Sequence, residues 1–433
     1  MFSPRAVREK RASSTPERTS PAGTEARIRT SKRSILEKRK RGSCTILVTG
    51  GTGFLGSHLA VELLRKGHSV FLLARRESRL SAQARVERLL EWFGVDRPDR
   101  SRLKVFEGHL DDAGLGLDGA LYGDLANSID EIVHCASSTS FSEKRREDVE
   151  HANVANLENV LTLAAKSRCS YFHHVSTAYV AGKKTGPCAE ELVETGEFTN
   201  VYEETKYLGE RSISARCARE GIRLNIYRPS IVYGNSVTGR TIRFDAVYYP
   251  VRTVLFFKNI YERDIREHGG KKAREMGVAL DADGRMHLPL RVEATTAGGI
   301  NLIPIDHFVG AFMAIMDDCL DGGVFHIVNE RLTTIEALAE YTMRFFDIEG
   351  VRAVPPQAFI EVPRNGLEIL FEHYVEAYGA YMKDTRIFEN DKTREILRRK
   401  GITCPDFDYT LFSRCMRYAV DVDWGAKLFD QAR

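Results

Sequence analysis

The feature that most constrains this chain is Thr49-Gly50-Gly51-Thr52-Gly53-Phe54-Leu55-Gly56, which follows the apolar run Cys44–Val48 and leads into Ser57–Arg65, where apolar residues recur at helical spacing. Glycines at the point where a strand gives way to a helix form a cradle for nucleotide phosphate, because the helix N-terminus offers free N–H groups and the positive end of its dipole. Gly50 is expected to allow the tight turn, Gly53 to admit a pyrophosphate to the backbone, and Gly56 to let the helix pack close to its strand. Thr52, Phe54 and Leu55 belong to the same cofactor-binding turn. A glycine triplet alone carries little; the strand before it and the helix after it give this one weight.

The next apolar run, Val70-Phe71-Leu72-Leu73-Ala74, ends some 20 residues further on and is followed by Arg75 and Arg76. A site specific for NAD normally puts an acid there, to accept from the ribose 2′-hydroxyl, whereas a 2′-phosphate needs positive charge and no adjacent carboxylate. Ala74 stands at the acid's position, and two guanidinium groups follow it, a geometry suited to a phosphate dianion. The expected cofactor is therefore NADP(H).

Apolar runs at Thr45–Val48, Val70–Ala74, Leu103–Phe106, Glu131–Cys135, Tyr171–Val175 and Leu224–Tyr227 alternate with helical periodicity at Ala82–Phe93, Val154–Ala165 and Thr205–Glu220. That rhythm predicts an α/β fold with a doubly wound parallel sheet. It breaks after Gly234. The expected organisation is a dinucleotide-binding core at 43–238, rejoined by about 301–330, with a smaller, mostly helical substrate lobe from 239–300 and 331–433. Within that lobe the aromatics Tyr248, Tyr249, Phe256 and Phe257 read as core first and as lining of an acyl tunnel second.

Residues 1–43 hold thirteen Lys and Arg against four Glu, which leaves the remainder of this +3 chain net acidic. Rich in Arg, Ser, Thr and Pro, with almost no apolar periodicity, residues 1–42 read as a disordered basic tail. It has no apolar h-region of a secretory signal, and Glu9, Glu17, Glu25 and Glu37 argue against a transit peptide. No stretch is long and apolar enough to span a membrane. The eight cysteines never fall as C-x-x-C, so they predict reduced, buried thiols of a cytoplasmic protein and no metal site. His134, His173 and His174 lie in strand-like segments and read as packed residues.

Tyr202 and Lys206 stand at i and i+4, on one face of a helix. An ammonium there is expected to lower the phenol's pKa, and a phenol so tuned can pass a proton to a carbonyl oxygen that receives hydride. The pair lies 25 residues after Thr177, at the end of the strand-like run Tyr171–Val175. A hydroxyl there sits at the carboxyl edge of the sheet, where ligands bind in this fold. Thr177, Tyr202 and Lys206 are thus the candidate catalytic residues, with Ser176 the alternative one position earlier. Glu203 and Glu204 read as the solvated side of the helix.

Over roughly residues 44–330 the chain resembles the extended short-chain dehydrogenase/reductases, and among them the fatty acyl-CoA reductase and carrier-protein thioester-reductase branch. The residues carrying the likeness are the glycine turn, Gly108-His109-Leu110-Asp111 with Leu115-Gly116-Leu117, Ile132–Ser137, His174–Val180, the Tyr202/Lys206 pair, Tyr227–Gly234 and Ile303–His307. The resemblance implies that Thr177 holds the substrate oxygen, that Tyr202 is the acid/base, and that Lys206 binds the nicotinamide ribose. It also implies that Pro229 and Ile231 border the nicotinamide and Ala136 the adenosine side. Two departures stand out. His109 replaces the family's usual adenine-contacting Asp, a role that Asp111 or Asp112 can take, and Ser137 replaces an alanine. The activity so implied is NADPH-dependent reduction of a fatty acyl thioester, on CoA or acyl carrier protein, or of the derived aldehyde. The alternative is another extended reductase or epimerase acting on a ketone, sterol or nucleotide sugar. No nucleic-acid partner is expected; peripheral membrane contact and a homodimer stay open.

Overall fold

The computed structural model describes residues 34–40 and 43–429, apart from 78, 96, 195 and 296–297. Its centre is a seven-stranded sheet built from β1 (Thr45–Thr49), β2 (Ser69–Ala74), β3 (Leu103–Glu107), β4 (Glu131–His134), β5 (Tyr171–Val175), β6 (Arg223–Pro229) and β7 (Gly323–Ile327). The strands pair in parallel in the order β7-β6-β5-β4-β1-β2-β3. Strands in such a sheet are covered on both faces, which is why they read as continuous apolar runs. Every residue of β4 and β5 is buried.

Strand order reverses between β1 and β4, and at such a reversal a crevice opens at the carboxyl ends of the strands. Helix α1 (Phe54–Arg65) and α6 (Ile305–Asp318) cover one face through Leu59, Leu63, Phe308 and Phe312. On the other face lie α3 (Asn156–Lys166) and the far half of α4 (Val201–Glu220), through Leu157, Val160, Ile213 and Cys217. Helix α2 (Ala82–Phe93) begins where the Ser81 side chain accepts from Ala84 N–H and ends at Gly94, in the left-handed conformation. A short parallel pairing of Ile231–Tyr233 with Leu302–Pro304 returns the chain to the core, as the Ile303–His307 segment suggested.

Three expectations change. The basic tail reaches too far: residues 34–40 are helical, Ile35 is part of the core, and Arg39 is buried against Glu131, while 1–33 and 41–42 lie outside the described residues. The lobe is less purely helical than its sequence suggests. Beside α5 (Tyr248–Glu267) it carries a three-stranded sheet of Ala279–Leu280, Met286–Glu293 and Ile348–Val354. Finally, α4 starts at Val201, four residues earlier than its periodicity suggests, because the Asn200 side chain accepts from Glu203 N–H and caps it. Tyr202 therefore stands in the first helical turn. All eight cysteines are free thiols.

Candidate active site

At the carboxyl edge of the sheet lies a cleft of about 1830 Å³, larger than the ~300–1,000 Å³ of a typical small-ligand pocket and roomy enough for a dinucleotide beside a second ligand. Its floor is the glycine turn. Gly50 has φ +70°, and a Cβ there would stand 2.6 Å from Ala136 N, so no other residue fits without moving β4's exit loop. A Cβ on Gly56 would lie 2.3 Å from Gly50 O. A Cβ on Gly53 would stand 3.2 Å from Gly50 O, Gly53 itself lines the cleft, and no side chain caps α1. The first N–H groups of that helix, which have no intrahelical partner, are thus left for a ligand. This cradle fits the pyrophosphate of a nicotinamide dinucleotide.

The cleft also gathers Thr52, Phe54, Leu55, Arg75, Asp111, Ala136, Pro229 and Ile231, together with Ser176, Thr177, Tyr202 and Lys206. Arg76 is the one expected cofactor residue that it leaves out. Glu107, at the end of β3, draws the Arg76 guanidinium away at 2.9 Å. Arg85 of α2 lines the rim in its place: it donates to the Arg75 carbonyl at 2.8 Å and to Thr52 Oγ1 at 3.3 Å, and pairs with Glu77 at 2.7 Å. Asp111 accepts from Asn156 Nδ2 at 3.0 Å.

The Thr177 hydroxyl is hydrogen-bonded to the Tyr202 phenol. Ser176, also in the cleft, has a buried Oγ without a protein partner. Lys206 Nζ donates to the Val175 carbonyl at 2.7 Å, and burial lowers its pKa to about 8, against the opposing charge of Glu210. The phenol departs from expectation. Burial pushes the Tyr202 pKa up to about 12, with partial relief from the Thr177 hydrogen bond and the Arg243 guanidinium. Arg243, rather than Lys206, is the cation that acts on it here.

Several residues that sequence reasoning passed over complete the site. Asn153, in a π-helical turn at His151–Ala155, accepts from Ser138 N at 2.7 Å and from Ser137 Oγ at 3.0 Å, and donates to Thr205 Oγ1 at 2.9 Å. It clamps β4's exit loop to α4, and the serine at 137 serves that clamp. Arg243 reaches Thr139 Oγ1 at 2.8 Å. Glu203 is fully buried, not solvated: it accepts from Tyr381 Oη and from Thr199 N, each at 2.9 Å. Glu204 does face outward, paired with Arg146 at 2.7 Å. Phe141, Tyr378 and Tyr381 supply the aromatic wall in place of the α5 residues. Tyr248 and Phe257 are core, and Tyr249 touches the cleft only through its ring contact with Tyr378 at 5.6 Å.

The three strand histidines are buried as expected. His173 lies 2.7 Å from Glu131, His134 lies 2.8 Å from Thr49 Oγ1, and His174 stacks on His134. Among the described residues no cluster of His, Cys, Asp and Glu could hold a metal ion. No helix among them is long and apolar enough to cross a membrane.

Residues 48–311 match the family model described as male sterility protein, an NAD-binding family. The chain belongs to this male sterility family of extended short-chain dehydrogenase/reductases. A linear gramicidin synthase polypeptide of Brevibacillus parabrevis is 24% identical over 388 residues, which cover 86% of this family member and 7% of that protein. Fatty acyl-CoA reductase 1 of Gallus gallus is 31% identical over 225 residues, 43% of each chain. This chain thus spans less than half the length of either curated relative. The terminal R domain of the myxalamid PKS-NRPS pathway shares the fold, with TM-score 0.67 and 22% identity over 87% of this chain and 90% of that one. The cleft of this male sterility family member lies within the segment that the NAD-binding family model matches over most of its lining.

Proposed function

We propose that this chain is an NADPH-dependent reductase that acts on the carbonyl of a fatty acyl thioester, carried on CoA or acyl carrier protein, or on the derived aldehyde. The observation that carries the proposal is the junction of Thr177, Tyr202 and Lys206 with the glycine cradle in one cleft. The bound nicotinamide supplies hydride. Thr177 holds the carbonyl oxygen, and Tyr202 delivers a proton to it as negative charge develops there. Lys206, anchored on the Val175 carbonyl, directs its remaining N–H groups to the nicotinamide ribose. Pro229 and Ile231 border the nicotinamide, Ala136 and Asp111 the adenosine side.

A 2′-phosphate is the fitting partner for Arg75 and Arg85, since Ala74 offers no carboxylate at the ribose position. Arg76, held by Glu107, takes no part. The free cysteines, five of them buried and three half-buried, support a reducing, cytoplasmic setting. Support for an acyl thioester over a ketone or sugar comes from the aromatic wall of Phe141, Tyr378 and Tyr381, which offers an apolar surface beside the proton donor.

The test is consumption of NADPH, with NADH in parallel, by the purified protein on long-chain acyl-CoAs, matching aldehydes, ketosteroids and nucleotide sugars. Turnover of acyl-CoAs or aldehydes that rises with chain length is the expected result. Turnover of ketones or nucleotide sugars alone refutes the acyl reading and leaves the cofactor assignment standing.

A further inference from the structure

Tyr202 delivers its proton at the carbonyl oxygen, so whatever is bonded to the carbonyl carbon lies against the surface next to the phenol. On one side that surface is polar, made of Thr177, Thr139 and Arg243. On the other it is aromatic. The Phe141 ring lies 5.8 Å from the Tyr202 ring, 6.0 Å from Tyr378 and 5.4 Å from Tyr381, centroid to centroid. All four side chains line the cleft.

This aromatic side is also held in place. Tyr381 accepts from Asn200 Nδ2 at 2.9 Å and donates to the buried Glu203 carboxylate at 2.9 Å. Its ring meets Tyr179 edge-on at 4.9 Å, and both tyrosines are 5% exposed. Swinging Tyr381 aside would strip a buried carboxylate of a hydrogen bond, so the wall does not yield to a bulky ligand. Phe141, itself half-buried, is thus backed on that side by a fixed ring.

We infer that Phe141, backed by Tyr381, sets the substrate class: acyl chains that are unbranched at the carbon next to the reacting carbonyl. The inference rests on the reductase reading above and adds to it a steric limit. A straight methylene chain can lie along the ring faces, whereas a branch at that carbon projects into the Phe141 ring. Tight apolar sites discriminate by about tenfold or more per misplaced methylene.

The experiment compares isomers of equal hydrophobicity: octanal with 2-ethylhexanal, and octanoyl-CoA with 2-ethylhexanoyl-CoA, each by NADPH consumption. The expected kcat/KM ratio of straight to branched is about tenfold or more in the natural protein and falls to within about threefold in Phe141→Ala. Tyr381→Phe, which keeps the ring and removes its tether, is expected to fall between. Phe141→Leu guards against loss of folding in the alanine variant, and quenching of protein fluorescence by NADPH checks that each variant is intact. An unchanged ratio in variants that still bind NADPH overturns the wall as the determinant. Natural protein that reduces neither isomer of either pair overturns the reductase reading, and the inference with it.

Discussion

Arg39 is the sharpest place to perturb this molecule outside its cleft. It sits in a segment whose composition reads as a solvated tail, yet its side chain is 1% exposed. Nε and Nη2 reach the two Glu131 oxygens at 2.8 and 2.7 Å, Nη1 donates to the Met316 carbonyl, and the guanidinium lies 4.3 Å from the Tyr171 ring centre. Arg39→Ala leaves Glu131 fully buried, with His173 at 2.7 Å as its remaining hydrogen-bond partner. Removing one member of a buried pair costs about 3–5 kcal/mol, because the other charge is left uncompensated. Lys38 provides the control: its pair with Asp130 at 2.6 Å has the lysine 37% exposed, and Lys38→Ala is expected to cost about 0–1 kcal/mol. The sign with pH follows from the same groups. In the natural protein burial raises the Glu131 pKa, but Arg39 and His173 outweigh it and hold it well below the usual range; burial keeps His173 low as well. His173 is thus neutral when folded, and its contribution to stability is lost as pH falls through the histidine range. Without Arg39 the Glu131–His173 pair takes up a proton on folding, so the variant loses stability as pH rises. The deficit in urea unfolding should therefore widen between about pH 6 and pH 8. A deficit under about 1 kcal/mol, or one that narrows as pH rises, would refute the buried-pair argument.

Tyr202→Phe is expected to retain NADPH binding and lose about two to four orders of magnitude in turnover, the usual worth of a positioned general acid; near-normal turnover would remove Tyr202 from the chemistry. Replacing Arg75 and Arg85 together by alanine should weaken NADPH binding about tenfold or more and leave NADH binding unchanged, which titration of each cofactor will decide. Because Lys206 has a pKa lowered to about 8, kcat/KM for NADPH should decline as pH rises through that value and its ammonium is lost. A profile flat across that region would show that the ammonium is not needed.

What sequence reading recovered, and what it missed, divides along physical lines. The strands were legible because a parallel sheet buried on both faces leaves no choice but continuous apolar runs. The glycine cradle was legible because backbone geometry alone demands it. Arg85 was not, since it lies 33 positions beyond Thr52 and only the fold of α2 brings it to the rim. The strand Met286–Glu293 alternates buried and half-buried residues, yet it carries Pro289, which argues against an inner strand. Its register shifts between His287 and Leu290, which accommodates the proline. The tail reading failed at Arg39 because its buried partners lie some ninety residues or more away in the chain.

Helix α4 shows most clearly why composition misled. Its buried residues include Glu203, Lys206, Glu210, Ile213 and Cys217, a regular alternation of three and four that marks one inward face. At the far end that face is apolar and joins the core beside α3. Towards its N-terminus it is charged, and apolar periodicity cannot see it. Each charge there has a built partner: Glu203 the Tyr381 hydroxyl, Lys206 the Val175 carbonyl, and Glu210 the Arg228 guanidinium at 2.9 and 2.6 Å. Buried charges so matched add little net stability, since desolvation offsets most of the attraction. They do fix direction and register, because a carboxylate with its partner in place cannot slide by a turn without losing it. Glu203 ties the helix to the aromatic wall, Glu210 ties it to β6, and Lys206 ties it to the end of β5. Tyr202 is thereby held against Thr177 from three sides, and the proton transfer proposed for it, which must meet a carbonyl oxygen within a few tenths of an ångström, requires that constraint.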